Sequence, residues 1–329
     1  MTPLLAPFSW VYGSLVRARN GRFDRAAAQR LRWPVVSIGN LSVGGTGKTP
    51  LVICLAQLLE RAGLHPDVLS RGYGRSSKET ERVDIAGDTA RFGDEPLLIA
   101  RAARVPVYVG ASRYEAGLLA EAELGEEGRR VHLLDDGFQH RQLARDVDIV
   151  VAHRSDLRER LLPAGRLREP LSSLQRAGVI VLRQEDAELE SALRLYAEKD
   201  CCFWRVRRSV CISGDIRRAL AFCAIARPAE FFASLAVAGV EVVERMSFRD
   251  HHRYSAADID RLVELGRRHK CDAFVTTAKD EVKLDATMHQ RLNAVAPLHI
   301  ASLVVEMEDE GEVLAHLSSK IVTSGKGLA

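Results

Sequence analysis

The run Ser42-Val43-Gly44-Gly45-Thr46-Gly47-Lys48-Thr49 constrains this chain more than any other feature, because of what flanks it. Before it, Pro34-Val35-Val36-Ser37-Ile38-Gly39-Asn40 is an apolar stretch of strand length. After it, Pro50 to Arg61 reads as a helix that ends at Gly63. A strand, a glycine-rich turn and a helix in that order make a phosphate-binding loop. The general pattern is G-x-x-x-x-G-K-[ST]. Gly47, Lys48 and Thr49 match its end, while Ser42 stands at its first position. Backbone N–H groups of Gly44 to Lys48 can cradle phosphate oxygens at the helix N-terminus. Lys48 then supplies charge to the β- and γ-phosphates, and the Thr49 hydroxyl suits Mg²⁺. Pro50 is tolerable because first-turn N–H groups have no intrahelical partner.

Further short apolar runs follow at Asp67 to Ser70, Val105 to Gly110, Val131 to Leu134, Val147 to Ala152 and Val179 to Leu182, with helical patterns between most of them. Strands alternating with helices predict an α/β fold: a parallel sheet of the phosphate-loop NTPase type with helices on both faces. Around 201–215 the pattern changes to alternating strand-like sequence, CCFWRVRRSVCIS. A smaller α/β unit then starts at Ala219 to Ala226. It continues through a helix near 229–238, a strand at Glu241 to Met246, a helix near 256–269 and a strand at Cys271 to Thr277. Leu298 to Met307 is placed to return and pair with 203–212, which makes a strand-like linker. The 329 residues suggest two domains at roughly 100–200 residues each. We divide the chain into an N-terminal segment 1–33, a phosphate-loop domain 34–205, a second α/β domain with linker strands 206–310, and a C-terminal segment 311–329, of which 323–329 reads as frayed.

Val131-His132-Leu133-Leu134-Asp135-Asp136 is an apolar strand ending in two acids, the form of a Walker-B carboxylate at the sheet edge where phosphates sit. An ordinary strand before an acidic turn reads the same way, and the sequence does not separate Asp135 from Asp136 as metal ligand. Phe92-Gly93-Asp94-Glu95-Pro96 reads first as a helix start, with Pro96 in the first turn. Asp250-His251-His252 is open between a solvated loop and a general-base or metal cluster. No HxH or HExxH spacing supports zinc.

Residues 3–16, PLLAPFSWVYGSLV, place Leu4, Phe8, Val11 and Leu15 on one helical face, widened by Leu5, Tyr12 and Val16, with Ser9, Gly13 and Arg17 opposite. The run is shorter than the roughly 20 residues a spanning helix needs. It suits either a helix lying in a membrane interface, with Trp10 and Tyr12 at headgroup level, or one packed on the protein. Six arginines (17, 19, 22, 25, 30, 32) against Asp24 give residues 1–33 a charge of +5, which leaves −2 for the rest. The overall +3 is too small to argue for nucleic acid, and none is expected as a partner. The six cysteines form no CxxC pair and read as reduced thiols. No secretory signal is evident, so the chain is expected to stay in the cytoplasm.

The ordered motif set resembles the tetraacyldisaccharide 4′-kinase family. It consists of Ser37 to Pro50, Ser70-Arg71-Gly72-Tyr73-Gly74-Arg75, Gly93 to Pro96, Asp135 to His140, Pro163-Ala164-Gly165-Arg166-Leu167-Arg168-Glu169-Pro170, and Asp250-His251. A Ser or Thr at the position of Ser42 is typical of that family. Cys223-Ala224 and Ala278 depart from its usual residues in the second domain. The resemblance implies transfer of the γ-phosphate of ATP to the 4′-hydroxyl of tetraacyldisaccharide 1-phosphate, giving lipid IVA for lipopolysaccharide. It implies Mg²⁺ as cofactor and a peripheral seat on the cytoplasmic face of a Gram-negative inner membrane.

By resemblance, Asp94 takes the proton from the sugar hydroxyl and His251 orients it. Lys48 and the loop from Ser42 to Thr49 bind ATP, and Thr49, Asp135 and Glu169 take the metal. Arg113, Asp136, Gln139, His140 and Arg168 are then candidates for the acceptor headgroup. The competing class is a nucleotide-switched membrane-binding ATPase or GTPase. Its deviant loop carries Lys before the first Gly, where this chain has Val43, and Thr277-Ala278-Lys279-Asp280 is not the N-K-x-D of guanine readers.

Overall fold

The computed structural model describes residues 5–45, 47–125 and 127–324. Leu4, Thr46 and residues 325–329 of the frayed run lie outside the described residues, whereas 323 and 324 of that run belong to the last helix. The N-terminal part holds α1 (Ala6–Arg25), β1 (Val35–Gly39), α2 (Lys48–Arg61), β2 (His65–Ser70), β3 (Glu81–Arg82), α3 (Thr89–Phe92), α4 (Asp94–Ala103), β4 (Val107–Val109), α5 (Arg113–Leu124), β5 (Arg130–Asp135), β6 (Val147–Val151), β7 (Val179–Arg183) and α6 (Glu190–Arg194). The remainder holds β8 (Cys202–Cys211), β9 (Ala219–Cys223), α7 (Pro228–Val237), β10 (Val242–Ser247), α8 (Ala256–His269), β11 (Ala273–Thr277), α9 (Ala278–Glu281), α10 (Ala286–Asn293), β12 (Leu298–Met307) and α11 (Glu310–Ser324).

All twelve strands join in one sheet, ordered β10-β9-β11-β12-β8-β7-β6-β1-β5-β2-β4-β3. Pairing is parallel except at the short edge strand β3 and between β8 and β12. Strands β1 and β6 are buried along their whole length, since helices cover both faces. On β1 the side chains alternate: Val36 and Ile38 join the core under α2 and α4, while Val35 joins Leu69 and Leu134 under α5. The apolar face of α2 that made the helix legible (Leu51, Val52, Leu55, Leu58, Leu59) is the face it buries. Each such side chain contributes about 1.5–3 kcal/mol.

The register of the two long strands decides how the halves meet. Cys202 to Val206 of β8 pairs in parallel with β7, and Val206 to Cys211 runs on to pair with Met307 to Ser302 of β12. The first half of β12, Leu298 to Ala301, pairs in parallel with β11. The second block of strands is therefore offset beyond the C-terminal edge of the first and runs back toward it. Ligands of open α/β sheets collect at C-terminal strand edges. Here two such edges face each other across one cleft.

The α1 helix docks on the first block through Ser9 and Gly13, opposite the centre of its apolar face, and through Tyr12 and Val16 at that face's edge. Ser9 Oγ donates to Leu161 O (2.9 Å) and accepts from Ala164 N (3.1 Å). Tyr12 OH donates to Arg168 O (3.0 Å), and Val16 is buried. Gly13 lets the helix approach, because a Cβ there would stand 2.9 Å from Leu161 Cδ1. Ser9, Gly13, Tyr12 and Val16 thus face inward, while Phe8, Trp10, Val11 and Leu15 stay 61–78% exposed. The polar groups of the 161–168 loop need partners, and that decides the orientation. Among the described residues, no helix is long and apolar enough to cross a membrane.

Candidate active site

Gly47 caps α2 at φ +91°, a conformation in which a side chain would strain the turn. That leaves Lys48 as the first helical residue, facing the end of β1. Its Nζ donates to Asn40 Oδ1 (2.9 Å) and lies 3.4 Å from Asp136 Oδ1. Arg168 holds both Asp136 oxygens in a fork, at 2.9 and 2.8 Å. Burial opposes the charge on Asp136, but Lys48 and Arg168 outweigh it and hold the carboxyl well below the usual range. Gln139 donates to Asn40 O (3.0 Å). Ser42 is buried, bridges to Leu167 and hydrogen-bonds the Asp156 carboxylate, so its side chain braces the loop from behind. Val43 O accepts from Arg166 Nη2 (2.9 Å).

Asp135 ends β5 in full burial. Its Oδ2 accepts from Ser70 Oγ (2.9 Å), and its Oδ1 is buried without a hydrogen-bond partner among the described residues. Burial first, then the negative charges of Glu95 and Asp136, push its carboxyl up to about 7. An orphaned carboxylate oxygen near the phosphate loop, with the Thr49 hydroxyl as a second hard oxygen, fits Mg²⁺. No group of three or more His, Cys, Asp or Glu among the described residues could hold a metal. A Mg²⁺ here would complete its shell with phosphate and water oxygens, the usual arrangement for that ion. Asp136 is the weaker candidate, since both its oxygens are already engaged. Glu169 is fully buried next to Arg168: its Oε2 accepts from Asn20 (3.0 Å) and Arg176 (2.9 Å), which ties α1 to the first block, while its Oε1 has no hydrogen-bond partner among the described residues.

The second end of the cleft is built around Asp94, the first residue of α4. Gly93 before it adopts φ +89° and packs 3.2 Å, by its would-be Cβ, from Gly72. Asp94 is 7% exposed; its Oδ1 accepts from Glu95 N (3.1 Å) and its Oδ2 meets His251 Nδ1 at 2.9 Å. His251 follows β10 and is held at φ +60°. Asp136 also lies in this region, at φ +49°. Two non-glycine residues in the left-handed region within one cleft are strain of the kind functional sites retain. Lys279, just after β11, places Nζ 3.0 Å from Glu95, 3.4 Å from His251 Nε2 and 3.7 Å from Asp250. The hydrogen bond to Asp94 raises the His251 pKa above its ordinary value, against burial. Burial opposes ionisation of Asp94, but His251 and Lys279 outweigh it, so its carboxyl stays charged.

Arg113 begins α5 at the end of β4. It is 4% exposed, and its Nε has no partner among the described residues. Burial pulls its pKa down to about 10 against the pull of Asp135 and Asp136, with Arg71 and Arg75 adding to the lowering. Burial and Arg113 likewise push His140 down to about 4, so that ring is neutral. Arg113, Arg71 and Arg75 form a positively charged cluster beside the Asp135-Asp136 edge. Asn40, Glu95 and Lys279 were missed as site residues, and so was Lys283, whose Nζ lies 4.0 Å from Asp94 Oδ2. Asn40 ends β1 at the loop itself, a position that could have flagged it. The lysines carry no local signal until the direction of the second block is known.

A family profile described as tetraacyldisaccharide-1-P 4′-kinase matches residues 1–322. The chain is 45% identical over 333 residues to the tetraacyldisaccharide 4′-kinase of Koribacter versatilis, covering 98% of this chain and 99% of that one. It is 38% identical to the protein of that name from Aquifex aeolicus, over 85% of this chain and 89% of the other. A crystal structure of LpxK from Aquifex aeolicus in complex with ATP superposes with a TM-score of 0.76 at 31% identity, covering 96% of this chain and 98% of that one.

Proposed function

The chain belongs to the tetraacyldisaccharide 4′-kinase family, and from that premise we propose how its own residues carry out the reaction. The protein is an ATP-dependent kinase that phosphorylates the 4′-hydroxyl of tetraacyldisaccharide 1-phosphate in lipid A biosynthesis. The observation that carries the residue assignment is the Asp94–His251 pair at 2.9 Å, contributed by opposite halves of one cleft.

The N–H groups of the phosphate loop and Lys48 bind the phosphates. Thr49 and Asp135 would hold Mg²⁺, which when bound supplies charge neutralisation to the β- and γ-phosphates. Asp94 accepts the proton of the 4′-hydroxyl as that oxygen bonds to the γ-phosphorus and the bond to ADP breaks. His251 donates Nδ1–H to Asp94 Oδ2 and so fixes which carboxylate lone pair faces the acceptor. Lys279 holds His251 from its far side and keeps Asp94 ionised. In phosphoryl transfer, positioning and charge do most of the work, and little covalent chemistry is asked of the protein. Arg113, in the arginine cluster, is suited to a phosphate by its fork of donors, with the neutral His140 near it.

The exposed Phe8, Trp10, Val11 and Leu15, next to exposed Arg17, Arg19 and Arg22, support a peripheral seat on an anionic membrane surface, the cytoplasmic face of the inner membrane. An acceptor with four acyl chains is then met where its sugar emerges. Incubation of the purified protein with ATP, Mg²⁺ and dispersed tetraacyldisaccharide 1-phosphate tests the reading. ADP and the 4′-phosphorylated lipid are expected to form in equal amounts. Hydrolysis of ATP with no lipid product would overturn it.

A further inference from the structure

Three arginines converge beside the phosphate loop, and among the described residues one of them has neither an ion pair nor a hydrogen-bond partner. Arg183 ends β7, Arg208 lies on β8 and Arg227 precedes α7. Arg183 sits 3.2 Å from Glu230, and Arg227 lies 2.8 Å from Glu230 and 2.7 Å from His153 Nε2. Arg208 has no such support: its Nε and Nη1 are buried and, among the described residues, have no hydrogen-bond partner. Its guanidinium is pressed against the loop. A Cβ added to Gly47 would stand 3.3 Å from its Cζ and 3.4 and 3.5 Å from its two Nη atoms. Arg183, Arg208 and Gly47 line one crevice at the C-terminal ends of β6 and β7.

Buried donors without acceptors are costly, and like charges nearby add to the cost. Burial first, and then Arg183 and Arg227 against Glu230 and the weaker Glu185, hold the Arg208 pKa down to about 10. The fold keeps this arrangement without offsetting it. An anion of more than one charge at Gly47 would offset it, and a nucleotide phosphate chain is such an anion.

We propose that Arg208 donates to the phosphate oxygens of the bound nucleotide, as a second cation besides Lys48. This rests on the reading of the chain as an ATP-dependent kinase. It adds that β8, the strand linking the two blocks, contacts the nucleotide directly and positions its phosphates.

The test compares the full-length wild type with Arg208→Ala and Arg208→Lys, titrated with ATP, ADP and adenosine, with Tm measured with and without ATP. Charge-assisted hydrogen bonds contribute about 1.5–3 kcal/mol, which corresponds to roughly a ten- to hundredfold loss of affinity. Arg208→Ala is expected to lose that much for ATP and ADP, but not for adenosine, and Arg208→Lys to recover part of it. Without nucleotide, the Tm of Arg208→Ala should equal or exceed that of the wild type, because a buried unpaired cation has been removed. Its gain in Tm on adding ATP should shrink. Unchanged ATP affinity would overturn the proposal. So would equal losses for ATP and adenosine, which mark a contact with the base, or a lower Tm without nucleotide, which marks a structural brace. A wild type that binds no ATP at all would instead remove the kinase reading on which the proposal stands.

Discussion

Asp94 Oδ2 and His251 Nδ1 stand 2.9 Å apart although 157 residues separate them in the chain. Asp94 opens a helix of the first block, and His251 follows the edge strand of the second. The contact exists only when the two C-terminal sheet edges face each other, so the proposed proton acceptor is complete only in the assembled cleft.

Replacement of Asp94 by Asn preserves shape and removes the proton acceptor. General base catalysis contributes about 10²–10⁴ in rate. Asp94→Asn is expected to lower kcat by that factor and to leave ATP affinity within about twofold. Steady-state kinetics and calorimetric ATP titration check both halves. Wild-type turnover would remove Asp94 from the mechanism.

The pH profile separates the roles of the pair. His251 and Lys279 hold the Asp94 carboxyl down, against burial. Without the imidazole, burial is less opposed, the Asp94 pKa rises, and the ionised form is lost at a higher pH than in the wild type. In His251→Ala the acid limb of kcat against pH should therefore shift upward, together with a lower plateau. A lower plateau with an unmoved limb would show that His251 acts on something other than the Asp94 proton.

A second buried histidine predicts how stability depends on pH. His132 on β5 meets Asp67 at 2.9 Å and Glu121 at 3.4 Å, and Glu121 in turn accepts the Arg32 and Trp33 backbone N–H groups. Burial lowers its pKa, but the two carboxylates outweigh burial and raise it to about 9. The folded state thus binds a proton more tightly than the unfolded chain, whose histidine titrates near 6.5. This stabilisation is fully present below about pH 6.5 and is lost as pH rises through about 9. Thermal denaturation should show Tm falling by a few degrees over that window. His132→Asn should have a lower Tm and a flatter slope. An equally steep slope in the variant would assign the effect to other groups.

The two faces of α1 should separate in function. Phe8→Ser with Leu15→Ser removes exposed apolar surface, each side chain worth about 1.5–3 kcal/mol when buried in lipid. Binding to vesicles containing anionic lipid should weaken at least tenfold with Tm unchanged. Ser9→Ala removes two hydrogen bonds to the 161–164 loop and should lower Tm by a few degrees without weakening vesicle binding tenfold. Vesicle binding by the double variant at the wild-type level would assign the exposed face another role.

The phosphate loop was legible because its requirements are local. A glycine at φ +91°, a lysine at the first helical position and a threonine next to it occupy consecutive positions, with a buried strand before them. The alternation of strands and helices was legible for the same reason: burial on both faces imposes apolar runs on each strand. The expected pairing of 298–307 with 203–212 held for Ser302 to Met307 against Val206 to Cys211, while the other half of each strand pairs with β11 or β7. Which of its two open orientations α1 takes was not legible, because helical periodicity counts apolar positions and cannot see that the carbonyl of Leu161 and the N–H of Ala164 need Ser9.

The sequence alone therefore determined the chemistry at one end of the cleft: a phosphate site with a carboxylate strand end beside it. Only the tertiary structure decided the other end. The register of β8 and β12 turns the second block back on the first, bringing His251 and Lys279 to Asp94 and Arg208 to Gly47. These contacts join residues more than 150 positions apart, through strands whose offset is set by hydrogen-bond pairing, and no local pattern encodes that offset.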